Sequence, residues 1–323
     1  MAKVVTIGGG TGTFVVLSGL KHVKGIELTA LVSSADDGGS TGRLRDAYGI
    51  LPVGDARQAL VALAEDETLL RDLFNYRFAK GDIAGHNLGN LLLTALSERL
   101  GSEAAAMQEA SRILRVSGSV NTTCSLPTTL VAELSDGTVI RGEHLIDERD
   151  ALRPKIARVY LETSCPASKE ALLALTSAAA IVICPGDLYT SIAAALLPEG
   201  LTDAIASSSA KLIFVVNLFT KAGQTTGFTA KDHVRELERY AGRKADAILV
   251  HTNGGFDPIV LDKYAHEGEL PVVDDLGDDT RVIRTSLASV HTVPPVPEDP
   301  VPRSLVRHDG EKLRAAIEPH LSA

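Results

Sequence analysis

The sequence has no excess of basic residues. Its 32 lysines and arginines are outnumbered by 41 aspartates and glutamates, which gives a formal net charge of −9 at pH 7. No run of Lys and Arg is present that would neutralise a row of phosphates. Nucleic acids and membrane surfaces are therefore not expected as partners.

Long hydrophobic runs are also missing. The most apolar stretch, 171–184, is shorter than a membrane span and contains Thr176 and Ser177. At the N-terminus, Lys3 and the apolar residues after it run directly into glycines, so the layout of a signal peptide is absent. We therefore expect a cytoplasmic protein with no membrane span.

Cysteine is scarce, with three residues in the whole chain. Cys124, Cys165 and Cys184 lie far apart, and no Cys-x-x-Cys or Cys/His spacing typical of a zinc site occurs. These side chains are expected to be reduced, structural thiols. No metal site is predicted.

The remaining composition is that of a compact globular protein, with 45% hydrophobic and 23% charged residues among 323. Apolar segments bounded by turn residues alternate with segments of helical periodicity. The predicted strands are 4–7, 28–33, 180–184, 212–217 and 247–251. The predicted helices are 12–22, 55–64, 88–100, 103–116, 168–178, 188–197, 230–240 and 258–266. This order predicts an α/β fold with a doubly wound, mostly parallel Rossmann-like sheet.

Two segments interrupt the alternation. Strand-like residues flank Asp136-Gly137, a hairpin signal, so 117–162 is interpreted as a small β-rich insertion. Prolines are concentrated in 293–301, which predicts an extended connector before a last helix that Asp309 caps. Because no internal repeat is found, residues 1–323 are interpreted as a single α/β domain.

The first predicted strand ends in a glycine-rich turn. Its residues are Gly8, Gly9, Gly10, Thr11, Gly12 and Thr13. A helix follows directly, so backbone N–H groups and the positive end of the helix dipole are expected to face a phosphate. The order is neither a P-loop nor a strict Gly-x-Gly-x-x-Gly motif, so it predicts phosphate binding without identifying the nucleotide. The alternative is a tight turn without a ligand.

A second polar loop follows the second predicted strand and is expected at the same edge of the sheet. Asp36 and Asp37 offer carboxylates for a ribose or a divalent cation, while Arg43 and Arg45 are candidates for phosphate oxygens. The alternative is a solvated loop.

In combination, these motifs resemble the gluconeogenesis factor (YvcK-like) family, which is related to the CofD-type 2-phospho-L-lactate transferases. The resemblance covers nearly the whole chain. It rests on the glycine-rich turn, on Tyr264 and on the segments 36–45, 85–91, 185–191, 217–220, 223–225 and 307–309. Cys184 and Asp187 stand where the family usually has Gly and Ser, and Gln224 stands where it commonly has Glu.

The resemblance implies a nucleotide-binding fold, UDP-sugar binding and a regulatory role in wall precursor supply, cell shape and growth on gluconeogenic carbon. A protein partner in cell-wall regulation and a homo-oligomeric assembly are expected with it.

Further candidate ligands follow other predicted elements. Gly186 and Asp187 begin a helix after the strand 180–184, which offers a second place for a phosphate, with Asp187 as a helix cap or an acceptor for a sugar hydroxyl. The remaining candidates at this edge are Tyr189, Thr190, Ser191, Asn217 and Thr220. His86 and Asn90 bracket a helix start, where His86 either binds a phosphate or orients a loop.

Tyr264 and Arg307 are the candidates most distant from the first turn. With the resemblance, we interpret Tyr264 as a ring that stacks on uracil and Arg307 as a guanidinium that bonds the diphosphate. Residues 293–323 would then fold back and complete the site. The alternative for both side chains is a packing role.

Three functions stay open at this point. A regulator that binds a UDP-sugar is favoured, without an assigned catalytic residue. The alternative is a 2-phospho-L-lactate transferase-like enzyme in which Asp36 or Asp37 helps to hold Mg²⁺ against nucleotide phosphates; the transferases typically have Ser-Asn-Pro where this chain has Asp187-Leu188-Tyr189. The chain also lacks Trp and has only 4% aromatic residues to line a deazaflavin slot. An NAD-dependent oxidoreductase is disfavoured by the glycine spacing.

Overall fold

The computed structural model describes residues 1–65, 69–148, 150, 152–252, 255–291 and 304–321. Its strands are β1 Ala2–Ile7, β2 Ile26–Val32, β3 Ser119–Thr122, β4 Leu130–Leu134, β5 Val139–Arg141, β6 Ile156–Leu161, β7 Ala180–Ile183, β8 Lys211–Val215, β9 Ala247–His251 and β10 Val282–Thr285. Its α-helices are α1 Gly10–Leu20, α2 Gly39–Tyr48, α3 Gly54–Leu63, α4 Leu69–Asn75, α5 Leu88–Leu100, α6 Glu103–Leu114, α7 Glu143–Asp147, α8 Lys169–Thr176, α9 Ala194–Leu196, α10 Leu201–Ser207, α11 Ala230–Ala241, α12 Pro258–His266 and α13 Gly310–Ile317. A π-helix, Leu188–Ala193, leads directly into α9.

Within these residues, seven parallel strands form one sheet in the order β10-β9-β8-β7-β1-β2-β3. Helices cover both of its faces, so the predicted doubly wound fold is confirmed. The winding reverses between β1 and β7, because β2 and β3 lie on one side of β1 and the remaining strands lie on the other. In such sheets the ligand crevice lies at the carboxyl ends of the strands around this switch point.

The central strand β7 shows why this sequence forms a sheet covered on both faces. All four of its residues are fully buried. Ile181 and Ile183 contribute to the core on one face, and Ala180 and Val182 contribute to the core on the other. The sequence of a parallel strand that is buried on both faces is therefore a continuous apolar run rather than an alternating pattern.

The predicted hairpin around Asp136-Gly137 is confirmed. β4 pairs with β5 and β6 in a small antiparallel sheet, and the Thr138 N–H donates to Asp136 Oδ1 over 2.9 Å across the turn. Residues 119–122 were expected within this β-rich insertion, but β3 instead forms the edge of the large sheet. Val120 is 3% exposed and pairs with Ala30, so burial of an apolar side chain assigns this strand to the main core.

Several elements differ from the sequence expectation. The segment expected as a polar loop contains α2, whose glycines and polar residues give little helical propensity. α2 ends at Gly49 in the left-handed conformation, and its Leu44 is buried. β10 was not predicted either. The proline-rich connector 293–301 lies outside the described residues, while α13 begins after Asp309 as predicted and this side chain caps it.

Cys124 and Cys165 are paired in a disulfide, so the expectation of reduced thiols is wrong for these two residues. The loops after β3 and β6 lie side by side, joined by a bridge between Cys124 and Ala167, which brings distant cysteines together. Cys184 is free and buried, and burial raises the pKa of its thiol to about 12. No helix in the described part of the chain is long and apolar enough to cross a bilayer.

Candidate functional site

The glycine-rich turn brings two loops of the crevice into direct contact. α1 begins at Gly10, whose φ of 63° favours glycine. A Cβ atom at Gly12 would overlap the carbonyl oxygen of Pro185. Gly12 therefore allows the start of α1 to pack on the turn that follows β7. Packing therefore requires glycine at this position, whether or not a ligand also approaches it.

Part of the predicted phosphate seat is filled by the protein itself. The Gly10 N–H donates to Asp55 Oδ1 over 2.8 Å, and a Cβ atom at Gly9 would overlap the same carboxylate. Asp55 lies in the first turn of α3. Sequence reasoning missed this residue, because nothing local to Asp55 indicates that its carboxylate reaches the first helix.

Beside this turn, a cavity of about 110 Å³ opens at the carboxyl ends of β1, β7 and β8. The predicted site residues that line it are Thr11, Gly12, Gly186, Asp187, Asn217, Thr220, Tyr264 and Arg307. Leu218, Phe219, Lys221 and His308 also line it. The structure thus brings the start of α1, the turns after β7 and β8, α12 and the C-terminal segment to one place.

Asn217 fixes the two strand ends relative to each other. Its Nδ2 donates to the Gly186 carbonyl oxygen over 2.6 Å, and its Oδ1 accepts from the Gly186 N–H over 3.3 Å. The side-chain amide is therefore engaged in holding the turn after β7. Its role in the structure is to position Gly186.

Lys221, which was not among the predicted site residues, contributes an ammonium group to the cavity wall. Its Nζ lies 3.1 Å from Asp147 Oδ1 and 3.3 Å from Asp187 Oδ2. Asp147 belongs to α7, in the β-rich insertion. The signal in the sequence was a lysine in the polar loop after a strand, but its partner is 74 residues away.

Tyr264 is a buried residue of the cavity wall, with 3% of its surface exposed. Its ring stacks on Phe219 with centroids 4.2 Å apart and an angle of 17° between the planes. Its hydroxyl oxygen accepts from the Val306 N–H over 3.2 Å. One ring face is thus already covered, and the hydroxyl group anchors the segment that contains Arg307.

Several predicted residues lie in a second polar cluster that the lining of this cavity does not include. Asp37 accepts the Glu143 and His144 N–H groups over 3.1 and 2.7 Å. Asp36 accepts from the Gly38 N–H, and burial raises its pKa. The other members are His86 and Asn90, which both contact Ser40 Oγ, and the exposed Arg43, which donates to the Ala84 carbonyl oxygen.

Four predicted residues have mainly structural partners. Tyr189 does not reach the crevice, because it is 1% exposed, packs edge-on against Tyr240 and places its hydroxyl 3.4 Å from Glu236 Oε2. The Thr190 hydroxyl accepts from the Gln224 amide, and the Thr13 hydroxyl donates to the Gly9 carbonyl oxygen. The Ser191 N–H donates to the Asp187 carbonyl oxygen. Tyr189, Thr190 and Ser191 lie in the π-helix, and such segments are frequent at functional sites.

Carboxylates dominate the electrostatics between the cavity and the second polar cluster. Burial, followed by repulsion from Asp36 and Asp147, raises the pKa of Glu143 well above its usual range. Burial and then Asp187 raise the pKa of Asp147 to about 7, while Lys221 opposes this shift. Among the residues that the structure describes, no three His, Cys, Asp or Glu side chains converge as a metal site. Both carboxylate oxygens of Asp37 accept backbone N–H groups.

Comparison with known proteins agrees with this architecture. The model of the family described as 2-phospho-L-lactate transferase CofD matches residues 4–293. A putative gluconeogenesis factor of Thermotoga maritima is 40% identical over 98% of both chains, and the gluconeogenesis factor of Bacillus subtilis is 37% identical over 98% of this chain and 96% of its own. A crystal structure of a UPF0052 family member from Bacillus halodurans covers 98% of this chain and 99% of its own, with a TM-score of 0.88 and 38% identity. The chain therefore belongs to the gluconeogenesis factor family and has a CofD-like domain over nearly its whole length.

Proposed function

We propose that the chain is a regulatory protein that binds a UDP-sugar in the cavity at the carboxyl ends of β1, β7 and β8. The supporting observation is the position of Lys221 and Arg307, two cationic side chains from distant segments that line one cavity together with the starts of two helices. Cationic groups and helix N-termini are the features that bind phosphates. At the predicted phosphate seat, by contrast, the Gly10 N–H is already bonded to Asp55.

The lining of the cavity suits different parts of such a ligand. Thr11, Gly186, Lys221 and Arg307 offer polar groups for the diphosphate. Leu218, Phe219 and Val306 offer apolar surface for the base. The carboxylate of Asp187 offers an acceptor for sugar hydroxyl groups.

In the cell, the protein acts in the cytoplasm and regulates wall precursor supply and cell shape on gluconeogenic carbon. It does so through a protein partner and as a homo-oligomer. Ligand binding is the part of the proposal that the residues of the cavity support. The partner and the assembly rest on the family resemblance.

The test is calorimetry on the full chain with UDP-glucose, UDP-N-acetylglucosamine, GDP and NAD. We expect at least one UDP-sugar to bind more tightly than NAD. Lys221→Met should weaken that binding by about tenfold, since a charge-assisted contact is lost. Lys231→Met, which removes an exposed lysine outside the cavity lining, is the matched control.

Equal or tighter binding of NAD contradicts the proposal. The same preparation should show no transfer of a phospholactyl group to a deazaflavin in the presence of magnesium. Product formation would assign the chain to the transferase branch instead.

A further inference from the structure

The short helix α7 is held at both of its ends by residues of the nucleotide crevice. At its N-terminal end, Asp37 accepts the N–H groups of Glu143 and His144. At its C-terminal end, Asp147 contacts the Lys221 ammonium group, and Asp147 Oδ1 accepts from Gln224 Nε2 over 2.9 Å. The β-rich insertion, which contains α7, is thus tied to the turns after β2 and β8.

The C-terminal tie of α7 uses the same ammonium group that faces the cavity. Lys221 is shared between Asp147 and Asp187, and 12% of its side chain is exposed. Two carboxylates thus compete for one cation in a partly buried place. An arriving diphosphate adds further negative charge beside Asp187, which weakens the hold of both carboxylates on Lys221.

We propose that α7 is a latch that a nucleotide diphosphate loosens: the ligand takes the Lys221 ammonium group away from Asp147, and the hold of the crevice on the C-terminal end of α7 weakens to the bond from Gln224. This inference rests on the proposed function, since it requires a diphosphate in the cavity. It adds the route by which occupancy of the cavity changes the surface of the insertion.

Two features of α7 suit this role. His144 and Leu145 are exposed on its outer side, with 47% of Leu145 accessible, so a shift of α7 changes a surface that another protein can contact. Asp147 also tolerates the loss of Lys221, because burial and Asp187 raise its pKa to about 7 even against the opposing effect of the lysine. Without the lysine its pKa rises further, and the carboxylate takes up a proton at neutral pH.

Amide hydrogen exchange on the full chain tests the latch, with UDP as the probe. In the wild-type protein, saturation with UDP should speed the exchange of the α7 amides by roughly fivefold or more, because a tie of the helix is lost. Asp147→Asn should show fast exchange in α7 without UDP and no further change with it. The same variant should bind UDP roughly threefold more tightly, since the charge of Asp147 no longer competes for the lysine.

Glu148→Gln is the matched control, because it removes a neighbouring exposed carboxylate and should leave both measurements unchanged. Should Asp147→Asn fail to fold, Lys221→Met breaks the same contact and should also show fast exchange in α7 before UDP is added. Slow exchange in the folded variant overturns the latch.

The outcomes separate the latch from the proposed function. If calorimetry detects UDP binding but the exchange of α7 stays the same or slows, the latch is wrong and the binding site stands. If neither UDP nor a UDP-sugar produces heat, the proposed function fails, and the latch fails with it.

Discussion

Arg307 is the residue for which the sequence and the structure lead to the sharpest expectation. It lines the cavity although it follows the last described strand by more than twenty residues. If its guanidinium bonds the diphosphate, Arg307→Ala should weaken UDP-sugar binding by about 1.5 to 3 kcal/mol, which is roughly one to two decades in affinity. Calorimetry measures this loss, and urea unfolding should show nearly unchanged stability.

A second variant at this position separates charge from geometry, and a variant at Arg314 serves as the control. Arg307→Lys keeps the charge but loses the planar fork, so it should recover only part of the affinity. Arg314→Ala removes a nearby arginine that pairs with Glu311, and it should bind as the wild type does. Unchanged UDP-sugar affinity in a folded Arg307→Ala protein would show that the C-terminal segment is structural.

Tyr264 acts on the same segment through its hydroxyl group rather than as an open stacking surface. Tyr264→Phe keeps the ring on Phe219 and removes the acceptor for the Val306 N–H. Because Val306 precedes Arg307, the effects of Tyr264→Phe and Arg307→Ala on UDP-sugar affinity should be non-additive. Additive effects would indicate that the two residues contribute independently.

His308 gives the site a pH dependence of stability. Burial lowers its pKa to about 4, and its Nε2 has no hydrogen-bond partner among the residues that the structure describes. The unfolded chain binds a proton at this residue near pH 6.5, whereas the folded chain does so only near pH 4. Stability is therefore lost as the pH falls through this window, by about 3 kcal/mol at most.

The measurement is the free energy of urea unfolding between pH 7 and pH 4, compared between the wild type and His308→Gln. Other groups titrate in both proteins, so the difference between the two curves isolates His308. The variant should lose less stability across this window. Parallel curves would mean that His308 is solvated in the folded protein.

At the scale of elements, substitutions in the glycine-rich turn are predicted to lower the stability of the fold, and not only to block a ligand. A Cβ atom at Gly12 meets the Pro185 carbonyl oxygen, whereas a Cβ atom at Gly10 meets no atom of the described residues within 4 Å. Gly12→Ala should therefore separate α1 from the turn after β7 and destabilise the fold by about 2 to 4 kcal/mol. Gly10→Ala should cost only about 1 to 2 kcal/mol, for its positive φ.

Thermal and urea unfolding of the two variants check this order. A Gly12→Ala protein as stable as Gly10→Ala would mean that the two crevice loops separate easily. In that case the glycine serves the approach of a ligand, as the sequence alone suggested.

The elements also show what the sequence could and could not predict. Strands such as β7 were predictable because burial on both faces leaves a continuous apolar run. α2 was not, since its glycines are chosen for close approach, as at Gly42, where a Cβ atom would overlap the Asp37 carbonyl oxygen. The positions of the site loops followed from the parallel sheet, but the contacts of Asp55 and Lys221 depend on tertiary packing that no local pattern encodes.

At the scale of the whole molecule, the insertion is attached at two levels. α7 ties it to the crevice, and the Cys124–Cys165 pair closes its base, because the two cysteines flank the segment that contains β4, β5, β6 and α7. A change in the crevice can therefore move α7 without releasing the insertion from the sheet.

The disulfide leads to the last prediction. It closes a loop with a sequence separation of 41 residues, so its loss should lower the free energy of unfolding by about 3 to 4 kcal/mol. Urea unfolding of air-oxidised protein with and without dithiothreitol measures this difference. Thiol titration of the denatured protein should find one reactive thiol, that of Cys184, without reductant and three with it. The double variant Cys124→Ser/Cys165→Ser should show no dependence on the reductant. Three reactive thiols in the untreated protein, together with equal stability in both conditions, would restore the expectation of reduced thiols and leave α7 as the tie that holds the insertion to the crevice.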